Sequence, residues 1–137
     1  MITDYFSLAG KKALITGAGK GIGARIATAY AEMGCDVALI ARTKSDLDTV
    51  AEAVTALGRE ALVYPCDIQD EAALAAVTDD LTQRWGSLDI LVNNAGAPGK
   101  GYGSLSKVTK ARFEHTLDIN LTSAYTCLLY TSPSPRD

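Results

Sequence analysis

Histidine is nearly absent from this chain. His115 is the only one, it stands beside Glu114 in a predicted helix, and it reads as a solvated or half-buried helix position rather than a catalytic base. The three cysteines, Cys35, Cys66 and Cys127, are odd in number and lack metal-ligand spacing. Cys35 and Cys66 lie within apolar strand-like segments, which predicts buried, inert thiols and a reducing compartment, the cytoplasm. No apolar run approaches the roughly 20 residues that span a bilayer. The first residues, Met1-Ile-Thr-Asp-Tyr-Phe-Ser7, hold an acid and no apolar core, so they do not read as a secretory signal. Lys and Arg are dispersed and the net charge is −3, so there is no basic stripe for nucleic acid or an anionic membrane.

What the chain does have is alternation. Apolar segments at 13–16, 36–41, 61–66 and 88–92 read as strands one to four. Between them, 22–33, 45–57 and 71–85 carry helical apolar stripes and end at Gly34, Gly58 and Gly86. The strands are nearly continuous apolar runs, the mark of strands covered on both faces. Right-handed crossovers then predict an α/β fold, a doubly wound parallel sheet of Rossmann type with strand order 3-2-1-4. Ligands bind such sheets where the order reverses, between strands one and four. Residues 97–108 form a glycine-rich loop. Thr109 is placed to cap a helix running through Tyr125, with Phe113, Thr116, Leu117, Asn120, Leu121 and Ala124 on its inner face. The sheet is incomplete, because Thr131-Ser-Pro-Ser-Pro135 cannot supply a fifth strand. Residues 1–126 are therefore assigned to a dinucleotide-binding part, and 127–137 to a non-native or disordered tail whose peptide resembles translated sequencing-adapter read-through.

The chemistry is concentrated in Thr16-Gly17-Ala-Gly-Lys20-Gly21-Ile22-Gly23, between strand one and the first helix. Gly17 permits a tight turn, Gly21 exposes backbone to a phosphate, and Gly23 lets helix and strand approach closely. The helix N-terminus adds free N–H groups and partial positive charge. No Walker lysine follows these glycines, which speaks against ATP hydrolysis. Strand two ends at Ala41-Arg42 without the carboxylate that would bind a ribose 2′-hydroxyl. Arg42 can pair instead with a 2′-phosphate, and Lys20 adds a second cation. Taken singly, each residue reads as solvated surface.

The glycine pattern, Asp67-Ile68 after strand three, Asn93-Asn94-Ala95-Gly96 after strand four, and Asn120 within Asp118-Ile-Asn-Leu121 occur in an order and spacing that resemble the short-chain dehydrogenase/reductase family, over residues 8–126. The resemblance implies an oxidoreductase that moves a hydride between a nicotinamide and a ketone or secondary alcohol. It implies that Ile22 belongs to the cofactor site with the glycines, that Asp67 accepts a hydrogen bond from adenine and that Ile68 backs the ring. Asn94 would steady the sheet, Ala95 and Gly96 would lie against ribose, and Asn120 would hold a relay water through its backbone. Asp67 also fits a plain acid at a helix N-terminus, and Asn94-Ala95-Gly96 a plain strand-ending turn. The Lys20 and Arg42 pair resembles an NADP(H) preference, with NAD(H) the alternative. The parent would be a homodimer or homotetramer acting on a small carbonyl or alcohol substrate. The family's Tyr-x-x-x-Lys occurs at none of the six tyrosines, so this chain is expected to be an inactive fragment. A non-catalytic dinucleotide-binding or regulatory module is the second reading.

Overall fold

The sheet is parallel, with strand order β3-β2-β1-β4. It consists of β1 (Lys12–Thr16), β2 (Asp36–Ala41), β3 (Ala61–Pro65) and β4 (Ile90–Val92). The structure is a computed structural model that describes residues 1–97 and 104–131. In the ladder, Leu14 pairs with Ala38 on one side and Leu91 on the other, while Leu39 pairs with Val63.

Strand periodicity divides the core in two. Ala13, Ile15, Val37 and Leu39 point to one face. There they meet α1 (Gly21–Glu32) and α2 (Lys44–Ala56) through Ala27, Ala31, Leu47, Val50 and Val54. Leu14, Ala38 and Ile40 point to the other face, against Leu74, Val77 and Leu81 of α3 (Glu71–Trp85). This two-sided cover is why β1 and β2 are continuous apolar runs. Fully burying each Leu or Ile contributes about 2 kcal/mol. β4 pairs only with β1 among the described residues, and its three residues are half-buried. The predicted strand four began two residues earlier. Asp89 there is fastened to Lys12 by both its N–H and its carboxylate, at 3.0 Å each, so the edge is pinned without a longer strand.

The last helical region departs from expectation. Thr109 does cap it, its hydroxyl accepting from the Arg112 N–H at 3.3 Å. The helix is not continuous, however. α4 (Lys110–Leu117) passes through a π turn at Asp118–Thr122 into α5 (Ser123–Thr131). A π turn adds a residue to the helical repeat and rotates everything after it. Phe113, Leu117 and Leu121, expected inside, are exposed, and Ser123 and Cys127 are buried instead. Cys127 joins the α3 side of the core, and Tyr130 donates to the Glu71 carboxylate at 2.8 Å. Residues 127–131 thus continue α5. The loop residues 98–103 and the tail from 132 lie outside the described residues.

Candidate functional site

The loop from β1 to α1 folds tightly because Gly17 adopts φ +64°. A Cβ at Gly17 would stand 2.9 Å from the Ala95 Cα and 3.0 Å from the Asn94 amide nitrogen. At Gly23 a Cβ would overlap the Gly17 carbonyl oxygen and lie 2.6 Å from that same nitrogen. Gly21 is the opposite case: its φ is +55° and a Cβ there would meet nothing within 4 Å. So Gly17 and Gly23 serve close packing, while Gly21 faces open space.

Two side chains lock this loop to the end of β4. Asn94 donates from Nδ2 to the Thr16 and Gly17 carbonyls, both at 3.2 Å. The buried Thr16 hydroxyl accepts the Asn94 and Ala95 N–H groups at 3.1 and 3.0 Å and sits 3.4 Å from the Val92 carbonyl, to which it donates. These bonds continue the β1–β4 pairing past the last ladder residues, Ile15 and Val92.

A cleft of about 480 Å³ opens at this end of the sheet. Gly17, Lys20, Ile22, Arg42, Asp67, Ile68, Asn94, Ala95 and Gly96 line it together, although they come from the ends of all four strands. Gly21 and Gly23 belong to the first turn of α1 at its border. The α1 N-terminus has Lys20 as its cap residue, no side-chain cap bond and no acid in its first turn. Its leading N–H groups and positive dipole end are therefore not answered by the helix's own side chains. These features fit an anionic, phosphate-bearing group: an uncapped helix start, an unobstructed glycine, two cations and room for a nucleotide.

Asp67 is not the cap of the helix that follows it. α3 is capped by Asp70, whose carboxylate accepts the Ala73 N–H at 3.0 Å. Asp67 uses one oxygen, Oδ1, to take the Gln69 N–H at 3.0 Å, and its other oxygen makes no bond among the described residues. Cys66 lies beside it in the wall. Burial pushes its thiol upward, and the neighbouring Asp70 and Asp67 add to the effect.

The sequence profile of the short chain dehydrogenase family matches residues 11–134. The chain belongs to this family. An uncharacterised oxidoreductase of Mycobacterium bovis is 38% identical over 131 residues, which is 93% of this chain and 38% of that protein. Carveol dehydrogenase from Mycobacterium avium, solved in complex with NAD, matches with TM-score 0.85 and 31% identity, over 90% of this chain and 49% of that one. A metagenomic short-chain oxidoreductase, solved in complex with NADP, matches with TM-score 0.83 and 35% identity, over 89% and 55% of the two chains. The chain spans less than half the length of the curated relative and about half of these solved structures.

Within this short-chain dehydrogenase scaffold, Asn120 is not where the helical stripe placed it. It is exposed on the π turn, and Nδ2 donates to the Ala97 and Thr116 carbonyls, both at 2.9 Å. A Cβ on Gly96 would come within 2.6 Å of its Oδ1, so Gly96 is small because Asn120 leans over it. Asn120 thereby ties the π turn to the rim of the cleft.

Sequence reading missed Thr16 as the clasp between β1 and β4, although it stands directly before the first glycine. It also missed Asp46, in the first turn of α2. Strand two ends without an acid, but Asp46 enters the cleft from the next helix and pairs with Lys20 at 3.4 Å. Asp80, on α3, stands apart from this cleft. It is half-buried, and it accepts the Tyr64 hydroxyl at 2.7 Å and Arg84 Nε at 2.8 Å. Those bonds hold its carboxyl below the ordinary range, the Tyr64 bond most of all. This cluster is remote from the cleft lining and braces α3 against β3.

Proposed function

We propose that this chain is the dinucleotide-binding part of an NADP(H)-dependent oxidoreductase that interconverts a ketone and a secondary alcohol, with NAD(H) as its weaker cofactor. The observation that carries the reading is the convergence on one cleft of the glycine turn, Arg42, Asp67-Ile68 and Asn94-Ala95-Gly96. The related structures solved with NAD and with NADP support a nicotinamide dinucleotide as the occupant.

Each residue has a task in this reading. The N–H groups at the start of α1 take the pyrophosphate, and Gly21 leaves its approach open. The free Asp67 oxygen accepts from the adenine amino group, and Ile68 backs the ring. Ala95 and Gly96 lie against ribose. Among the described residues no acid forms an ion pair with Arg42, so its guanidinium is free to take a 2′-phosphate through two hydrogen bonds. When bound, the nicotinamide supplies a hydride donor or acceptor. The π turn at Asn120 offers its backbone to a water on the proton path.

The 137 residues contain no Tyr-x-x-x-Lys, the acid–base pair that the family's chemistry uses, so this chain alone binds cofactor and turns over no substrate. The whole enzyme is assigned as a homodimer or homotetramer. The exposed Phe113, Leu121, Tyr125, Leu128 and Leu129 on α4, the π turn and α5 support an apolar interface there. No described helix is long and apolar enough to cross a membrane. The three buried, free thiols favour a reducing compartment, and the cytoplasm is the one we assign.

Calorimetric titration of the chain with NADPH and NADH tests the reading. Saturable heat with NADPH, tighter than with NADH, supports it. No heat at millimolar NADPH from a chain whose circular dichroism shows it folded contradicts it.

A further inference from the structure

Lys20 and Asp46 approach to 3.4 Å across the mouth of the cleft, joining the start of α1 to the first turn of α2. Both line the same cavity as Arg42. Their exposure differs. The Lys20 side chain is 81% exposed, whereas that of Asp46 is 29% exposed. Asp46 lies close against the glycine turn: a Cβ added at Gly19 would sit 3.1 Å from the Asp46 Cβ and 3.9 Å from its Oδ2. The positive end of α2 also favours a carboxylate at this position. Asp46 is therefore the fixed member of the pair and Lys20 the movable one.

We propose that Asp46 is a positioning residue for cofactor discrimination: it holds Lys20 as a counter-ion that the 2′-phosphate of the cofactor must take over. The inference rests on the cleft being a dinucleotide site. In the free protein Lys20 is paired with Asp46, and among the described residues Arg42 has no ion-pair partner. A phosphate arriving between them draws Lys20 away, and Asp46 remains nearby as an uncompensated like charge. Binding of 2′-phosphorylated nucleotide thus meets two opposing effects, the broken pair and the repulsion. A nucleotide without the 2′-phosphate meets neither. Asp46 keeps the preference for the phosphorylated cofactor smaller than two cations would set it, and NAD(H) stays within reach of the site.

The test uses 5′-ADP with and without a 2′-phosphate, 2′-phospho-ADP and 5′-ADP, as probes, titrated by calorimetry into the 137-residue chain, its Asp46→Asn and Lys20→Ala variants and the double variant. Binding to these ligands reads the site without turnover. Asp46→Asn is expected to tighten 2′-phospho-ADP by about 3- to 5-fold, the upper part of the range of an exposed ion pair. It is expected to leave 5′-ADP within about twofold. In the Lys20→Ala background the gain should shrink, because no pair remains to be broken. Asp46→Ser repeats the measurement should Asn alter the α2 start, with circular dichroism confirming the fold of each variant.

An unchanged ratio of the two affinities in Asp46→Asn, with 5′-ADP still binding, overturns the role of Asp46 and leaves the cleft assignment standing. A loss of 5′-ADP affinity in Asp46→Asn makes Asp46 a direct nucleotide ligand and overturns the exchange. Full additivity in the double variant reduces Asp46 to simple repulsion and overturns it too. Failure of the folded wild-type chain to bind either probe overturns both the cleft assignment and this inference.

Discussion

Asn94 lies at the end of β4, yet its amide nitrogen serves the loop after β1, donating to both the Thr16 and Gly17 carbonyls at 3.2 Å. Replacing it with Ala leaves two part-buried carbonyls without that donor, a cost of about 1–3 kcal/mol. Asn94→Asp replaces the donor with an acceptor facing two acceptors and should be no better tolerated. Urea unfolding followed by circular dichroism reads both, and the midpoint should fall in each. Wild-type midpoints in both variants would show that the clasp carries no stability.

Gly21 and Gly23 make opposite predictions although they stand two residues apart. Gly23→Ala places a methyl group against the Gly17 carbonyl and the Asn94 amide, which are themselves bonded to each other. Overpacking of that kind costs about 1–3 kcal/mol and distorts the nucleotide cradle. Gly21→Ala meets open space and carries only the left-handed backbone penalty of about 1–2 kcal/mol. Thermal melts together with NADPH titration separate them. Gly23→Ala should lose both stability and binding, and Gly21→Ala should lose the less stability. Equal losses would mean that the close approach of Gly23 to the turn is unimportant.

Arg42 should decide between the cofactors. Arg42→Ala removes the charge-assisted pair proposed with the 2′-phosphate, and about 1.4 kcal/mol corresponds to a tenfold loss of NADPH affinity. NADH affinity should stay within about twofold. Competition binding with both cofactors checks this, and a parallel loss of both would make Arg42 a general phosphate ligand instead.

The buried thiols predict alkaline sensitivity. Burial pushes the Cys35 and Cys127 thiols from about 9 up to about 11. Groups raised in the folded state bind protons more tightly there, so their contribution is complete below pH 9. It is lost as pH rises through about 11. Urea midpoints should therefore be steady from pH 7 to pH 8.5 and fall between pH 9 and pH 11. Cys35→Ser with Cys127→Ser should flatten that fall, and an unchanged alkaline slope in the double variant would contradict the assignment.

The sheet was legible because its central strands are covered twice. Leu14 and Ile15 look the same to a sequence reader although they face opposite layers, and that sameness is the signal of a parallel core. The glycine turn was legible because Gly17 and Gly23 leave no space for a side chain. Asp46 was not, since nothing in the spacing of α2 shows that its first turn bends back toward Gly19. Phe113 and Leu117 were misread because α4 buries none of its residues, and the positions after them because helical periodicity assumes an unbroken repeat. The π turn at Asp118–Thr122 breaks it and exchanges Leu121 for Ser123 and Cys127 as the buried positions.

The central claim is that a dinucleotide lies across the ends of all four strands. Backbone amide shifts of the isotope-labelled chain, followed while NADP⁺ is added, test it most directly. The account predicts saturable shifts grouped at Gly17, Lys20 to Gly23, Arg42, Asp67, Ile68, Ala95 and Gly96. Shifts confined to residues outside the cleft lining, or none at saturating cofactor, would contradict it.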